Sequence, residues 1–347
     1  MNSFKRTEKE IDLPLGAVWL MNSISEYKGK QELYKKQSSQ IINSLVEMAL
    51  IESAESSNRI EGVTVERKRL KPLIIDRTKP RDRSEEEVAG YRNALDLIHK
   101  KYKTLEITPM TIKELHRLSH AETGDAGEWK EINNDIIRKN PDGSVEVIFK
   151  PVDAKDTPAA IEELCLLYRH SLDQMKYPPL YAVGCLILDF LCIHPFRDGN
   201  GRVSRLLTLL VLYHHGYEVG RYISLERIIE QSKETYYEAL QKSSLKWHEV
   251  KHDISPWLHY FLGTVHSAYK EFEQRASSIK STKGAKTEIV MQMINSQQGE
   301  FSMSDIERLC PGISRDMIRL LFRQMKKEGK ITCLGKGQSA KWKRIGE

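Results

Sequence analysis

Residues 180–205 read LYAVGCLILDFLCIHPFRDGNGRVSR, and their order decides the fold. From Leu180 to Ile193 the run is apolar on nearly every helical face and carries a single charge, Asp189, which predicts a central helix enclosed by protein. It is too short to cross a bilayer, which takes about 20 residues, so an integral membrane protein is excluded and no membrane partner is expected. A glycine-rich turn follows Phe196, and a second apolar helix runs from Val203 to His215. Buried helix, glycine turn, helix is therefore the nucleus around which the rest of the chain is read.

The turn also carries chemistry. Gly199 and Gly201 permit positive φ and close backbone approach, so successive N–H groups can converge on an anion. The helix that the turn opens has unpaired N–H groups and a dipole favouring negative charge. Asn200 tolerates a left-handed conformation and offers a side-chain donor. Arg202 and Arg205, three apart, emerge on one helix face and suit phosphate oxygens. Asp198 is a hard oxygen ligand beside that site, suited to Mg²⁺ held together with phosphate oxygens. His194, with an ordinary pKa of about 6.5, can serve as a general base. Base, polyphosphate cradle and no side-chain nucleophile point to direct in-line transfer onto an external hydroxyl.

Outward from this nucleus the pattern is mostly helical. Residues 30–58 predict one long amphipathic helix with Ile41, Ile42, Leu45, Met48 and Ala49 on one face. Ser84-Glu85-Glu86-Glu87 reads as a capping box opening a helix that ends near Tyr102. Thr108-Pro109 and Thr157-Pro158 each place a cap before Pro at the first helical position, and Ser255-Pro256 opens a helix towards Ala276. Strands are expected at two places. One is Asp135–Lys150, around the turn signal Pro141-Asp142-Gly143; the other is Gly329–Arg344. The small, polar stretch 277–286 (SSIKSTKGAK) reads as a linker. The expected organisation is a helical region over 1–84, a core over 85–276, the linker, and a small unit over 287–347.

The 347 residues are 40% hydrophobic and 29% charged, ordinary for a globular protein and too apolar for a disordered one. The net charge of +6 is uneven: residues 280–347 hold 14 Lys and Arg against 7 Asp and Glu, leaving −1 before them. The first residues, MNSFKRTEKEIDLPLG, lack the apolar core of a secretory signal. Five cysteines without CxxC spacing read as reduced thiols, and a cytoplasmic location is expected.

HPFRDGNGRVSR, residues 194–205, resembles the signature HxFx(D/E)GNGRxxR of Fic-domain proteins at all its fixed positions. The resemblance implies a mainly α fold, the Fic helical fold with a short β-hairpin flap. Most family members so characterised are protein adenylyltransferases, which move AMP from Mg²⁺·ATP to a Ser, Thr or Tyr hydroxyl of a target protein and release pyrophosphate. By position, His194 becomes the catalytic base and Asp198 the Mg²⁺ ligand. Gly199, Asn200 and Gly201 become the anion hole, and Arg202 and Arg205 contact the nucleotide phosphates. Phe196 anchors the loop in the core. Ile193, Val203 and Ser204 are counted with the nucleotide site, as is Tyr236, in KETYYEAL, where related proteins contact adenine. Ile136 and Ile137 of the hairpin are expected to clamp the target segment, which the flap registers by strand addition.

Ser57-Asn58-Arg59-Ile60-Glu61-Gly62 matches the family's inhibitory motif [S/T]xxxE[G/N]. Glu61, with Ser57 and Gly62 framing it, is expected to pair with Arg205 and so remove the cation that the γ-phosphate needs. Residues 287–344 resemble a winged helix, with Arg315, Arg319 and Arg323 recurring along its second helix as a face that fits a DNA groove. Three other readings stand beside adenylyl transfer: a DNA-binding regulator with a nucleotide-sensing core, transfer of phosphate or phosphocholine, and removal of AMP. A homodimer is left open.

Overall fold

The computed structural model describes residues 1–5, 13–35, 39–120, 124–139, 143–277, 285–295, 297, 299–310, 313–335 and 340–345. Within them the chain runs α1 (Leu15–Lys35), α2 (Ser39–Ile60), α3 (Arg67–Ile74), α4 (Arg83–Lys101) and α5 (Pro109–Ser119). A hairpin follows, β1 (Ile136–Lys139) with β2 (Val145–Phe149). Then come α6 (Thr157–Asp173), α7 (Pro179–Ile193), α8 (Asn200–His214), α9 (Leu225–Gln231), α10 (Lys233–Ser244) and α11 (Ser255–Ser277). The C-terminal unit is α12 (Ala285–Asn295), β3 (Glu300–Ser302), α13 (Met303–Leu309), α14 (Arg315–Lys327), β4 (Ile331–Cys333) and β5 (Lys341–Arg344).

The apolar run 180–193 is α7, buried at every position but Leu191. It packs against α6, α8, α10 and α11, while α2 covers α8 together with α4. The lone charge in that helix, Asp189, docks the first residues of the chain. Its carboxylate accepts from the backbone N–H and hydroxyl of Ser3 and from the Trp247 indole at 2.6 Å. Burial raises its pKa to about 6 against these donors.

A second apolar cluster holds the C-terminal unit together, with Val290, Ile294, Phe301, Ile306, Phe322 and Ile331 in it. Its three strands pair antiparallel in the order β3-β5-β4. The unit touches the helical body through ion pairs: Arg67 of α3 with Asp305, and Arg308 of α13 with Glu55 of α2.

Several sequence expectations change. The helix expected over 30–58 is parts of two, α1 and α2, with residues 36–38 outside the described ones. Its apolar pattern runs through both because each buries a stripe on the body. Asp82, not Ser84, caps α4: its carboxylate accepts from the Glu85 N–H at 2.9 Å. Glu85 is not free to complete a capping box, since both its oxygens hold Arg69 at 2.7 Å. Thr157 lies inside the first turn of α6 and donates its hydroxyl to the Asp153 carbonyl. Strand β3 is too short to show an alternating pattern. Pro141-Asp142 and most of the expected linker lie outside the described residues.

Candidate active site

His194 is the residue that ends α7. Its φ of +51° is a left-handed conformation rare for a non-glycine residue, and it turns the chain sharply out of the helix. Nδ1 lies 3.3 Å from the Leu191 carbonyl; a carbonyl only accepts, so the ring donates there and Nε2 is left as the acceptor. Burial, and then the neighbouring Lys130 ammonium, lower its pKa to about 4. The imidazole is therefore neutral at physiological pH, the form a base requires.

Lys130 brackets His194 from both sides in sequence. Its Nζ donates to the Ile193 carbonyl at 3.1 Å, and its backbone N–H donates to the Pro195 carbonyl at 2.9 Å. Burial lowers the Lys130 pKa to about 8.

The turn is closed by Asn200. Its Oδ1 accepts from the Phe196 N–H at 2.9 Å and its Nδ2 donates to the Phe196 carbonyl at 2.7 Å. The expected phosphate donor is thus a clasp of the turn, because the loop needs a partner for the Phe196 backbone. Phe196 is buried as expected. It stacks on His116 with ring centroids 3.8 Å apart and the planes 5° off parallel.

His116 supports the turn from behind: Nδ1 accepts from the Gly127 N–H at 2.8 Å, and Nε2 faces the Asp198 carbonyl at 3.1 Å. Gly199 has φ +77°, and a Cβ there would lie 3.2 Å from the rings of both His116 and His120. Glycine is required at this position on both counts.

The two arginines both face α2 but do different things. Arg202, with 2% of its side chain exposed, pairs with Glu87 and donates to Nδ1 of His120 at 3.2 Å. It holds the turn to α4 and α5 and is not among the residues that line the cavity. Arg205 donates from Nε to the Ser57 hydroxyl at 2.9 Å, and from Nη2 to the Ser57 carbonyl at 3.0 Å and to Glu61 Oε1 at 2.7 Å. Burial opposes its charge, yet Glu61 and the surrounding tyrosines hold its pKa above the ordinary value. Its Nη1 is buried with no hydrogen-bond partner among the described residues.

A cavity of about 470 Å³ opens over these groups. His194, Gly201, Arg205 and Glu61 line one part, Ile136 and Ile137 the hairpin side, and Tyr236 and Tyr237 the α10 side. A Cβ on Gly201 would lie 2.3 Å from Glu61 Oε1, so the glycine makes room for an anionic group against the turn, and the Glu61 carboxylate takes that room. Gly62, at φ +85°, terminates α2 beside it, and Lys233 of α10 donates to the Ile60 carbonyl at 2.7 Å.

Tyr236 is buried among Trp257 and Tyr260, whereas Tyr237 is 45% exposed and is the more accessible ring. Ile193 and Val203 are core residues, and the Ser204 hydroxyl donates to the Gly201 carbonyl at 2.8 Å. None of these three lines the cavity. In the hairpin Ile136 pairs with Phe149 and Ile137 with Val147, with a bulge between them, and Arg138 donates to Gln241 of α10 at 2.6 Å.

Asp198 carries the one carboxylate of the turn, 67% exposed, with Oδ1 accepting from the Gly199 N–H at 2.7 Å. Among the described residues no three His, Cys, Asp or Glu side chains gather to hold a metal ion. A single exposed carboxylate fits Mg²⁺ completed by phosphate oxygens and water. His116, His120, Lys130 and Lys233 are not singled out by the sequence reading, and Glu87 enters it only as part of the expected capping box. Apart from His116 and His120, which share the end of α5, they come from separate segments, and the packing alone brings them to the turn.

The Fic/DOC family profile matches residues 106–212, which span α5 through most of α8. A Fido domain-containing protein of Dictyostelium discoideum is 31% identical over 120 residues, 33% of this chain and 79% of that protein. The protein adenylyltransferase Fic of Drosophila grimshawi is 31% identical over 137 residues, and the matched part is 26% of that longer protein. Among solved structures, a Fic family protein from Desulfovibrio desulfuricans superposes with a TM-score of 0.60 at 19% identity, over 97% of this chain and 98% of that one. A Fic domain-containing signalling protein from Bacteroides thetaiotaomicron gives 0.63 at 21%, over 75% of this chain and 99% of that one. The chain belongs to the Fic/DOC family, and its helical body has the Fic fold. No described helix is long and apolar enough to cross a membrane.

Proposed function

We propose that the protein is an adenylyltransferase that moves AMP from Mg²⁺·ATP to a Ser, Thr or Tyr hydroxyl of a target protein, held back by its own Glu61. The observation that carries this reading is the Glu61 carboxylate lying on Gly201 and bonded to Arg205 in the cavity that also contains His194. An anion held at that spot marks where a phosphate would bind, and a base stands in the same cavity. The cavity is within the usual size of small-molecule sites, about 300–1,000 Å³.

In the reaction, Nε2 of His194 takes the proton of the incoming hydroxyl. The hydroxyl oxygen bonds to the α-phosphorus as the bond from that phosphorus to the bridging oxygen breaks, and pyrophosphate leaves with the electron pair. Asp198 would hold Mg²⁺, which supplies charge neutralisation to the phosphates. Arg205 meets the terminal phosphate once Glu61 has gone, and its unpartnered Nη1 offers a further donor. The bulged hairpin presents a strand edge to the target chain. With Glu61 in place the phosphates lose that cation and the α-phosphorus is out of line. Glu61 is equally placed to orient a water for AMP removal.

The test is self-modification of the Glu61→Gly protein with ATP, read by intact mass. Addition of AMP, lost again in the Glu61→Gly/His194→Ala protein, supports the reading. A product heavier by phosphate or phosphocholine, or none at all, rejects it. We read the C-terminal unit as winged-helix-like; its strand order β3-β5-β4 and its three helices support that reading. Along α14, Arg315 pairs with Glu307 and Arg319 with Asp316. The five cysteines are free thiols, four of them buried.

A further inference from the structure

A second cavity, also of about 470 Å³, lies between the helical body and the C-terminal unit. Arg67, Lys68 and Lys71 of α3 form one wall, Arg308 of α13 and Arg315 of α14 the other, and Ile51 of α2 contributes to the lining. Against these five cations the lining contains one carboxylate, Glu307. No step of the proposed reaction uses this space.

Carboxylates face these cations at present: Asp305 on Arg67, Glu66 on Lys68, Glu55 on Arg308 and Glu307 on Arg315. Arg67 and Lys68 are more than half exposed, and ion pairs of that kind are weak. Phosphate groups present oxygens that match guanidinium forks two at a time and gather ammonium groups around them, so a polyphosphate can displace such partners. The space is of small-molecule size and faced from two sides, which fits a compact polyanion better than a macromolecular surface.

Two of the displaced pairs, Arg67–Asp305 and Arg308–Glu55, tie the C-terminal unit to the body. Glu55 also receives Arg59, whose other partner is Glu230 of α9 at 2.9 Å. Glu55 and Arg59 lie on the last turns of α2, immediately before Glu61. We propose that this cavity is an effector site for a small polyanion of the polyphosphate class, and that its occupation draws Arg308 off Glu55 and loosens α2. The coupling to activity rests on the inhibitory reading of Glu61; the binding does not.

The probe is inorganic tripolyphosphate, titrated by calorimetry into the full chain carrying Arg205→Ala, which removes the phosphate-facing cation of the candidate active site. One-to-one binding is expected, weakened about 10-fold or more by adding Lys71→Ala with Arg315→Ala. Lys68→Glu, at an exposed position, is expected to give the same loss without touching the fold. No binding, or binding indifferent to these substitutions, overturns the site. For the coupling, self-labelling of the parent chain is expected to rise several-fold with tripolyphosphate, and not to rise in the Lys71→Ala/Arg315→Ala chain. Equal rates in the two chains overturn the coupling. If Glu61→Gly shows no labelling at all, the transferase reading falls while calorimetry still decides the site.

Discussion

The glycine turn has a rear wall and a front wall, and each sets a glutamate against an arginine of the same helix. At the rear, Glu87 meets Arg202, and both are buried behind His116 and His120. At the front, Glu61 meets Arg205, and 27% of the Glu61 side chain remains exposed beside an open cavity. A buried pair cannot be opened cheaply, because each member strands the other in a low-dielectric interior. A pair at the edge of a cavity can be replaced by water or by a phosphate. The rear pair therefore belongs to the scaffold, and on the proposed reading the front pair is the element exchanged for substrate.

The widest separation between the walls should come from chemistry. In the Glu61→Gly protein, His194→Ala is expected to lower AMP transfer by about 10³-fold, within the range for loss of a general base. ATP affinity, measured by calorimetry, should stay nearly unchanged. Glu87→Ala should cost stability, about 3–5 kcal/mol in urea unfolding, because it leaves the Arg202 charge buried and unpaired. Glu61→Gly should cost less than that, because the open cavity lets water reach the Arg205 guanidinium. Similar losses for the two would abolish the distinction between the walls.

Next in size is the rate effect of the front pair. Glu61→Gly should raise self-modification by about 10²-fold, the cost of misplacing a reacting atom by about 1 Å. The smallest effect is on pH. His194 binds a proton near pH 4 in the folded chain and near 6.5 when unfolded. Between those values the unfolded chain holds more protons, so this residue's contribution to stability, full above pH 6.5, falls as pH drops towards 4. In the Glu61→Gly protein the acid limb of kcat/KM should lie near pH 4. Lys130→Met removes a positive neighbour and should move that limb upward; an unmoved limb would remove Lys130 from the electrostatics of the base.

Which parts of this were legible in the sequence follows the same division. The central helix, the turn and the hairpin could be read because apolar period, glycine spacing and turn residues are local signals. So could Glu61, because it stands in a compact motif. The rear wall could not be read. Glu87, His116 and Lys130 come from three different segments, and their meaning depends on the packing that brings them to one loop. Arg202 shows the limit within the motif itself: its spacing from Arg205 puts both near the start of one helix, but does not reveal Glu87 as its partner. Asn200 likewise belongs to the turn, yet its side chain closes the loop on Phe196.

The most direct test is a crystal structure of the Glu61→Gly protein with Mg²⁺ and a non-hydrolysable ATP analogue. The account predicts the terminal phosphate on Arg205 and the α-phosphorus over Gly201, open to attack from the Nε2 side of His194, with Arg202 still on Glu87. A nucleotide bound elsewhere, or one whose α-phosphorus faces away from the imidazole, would contradict it.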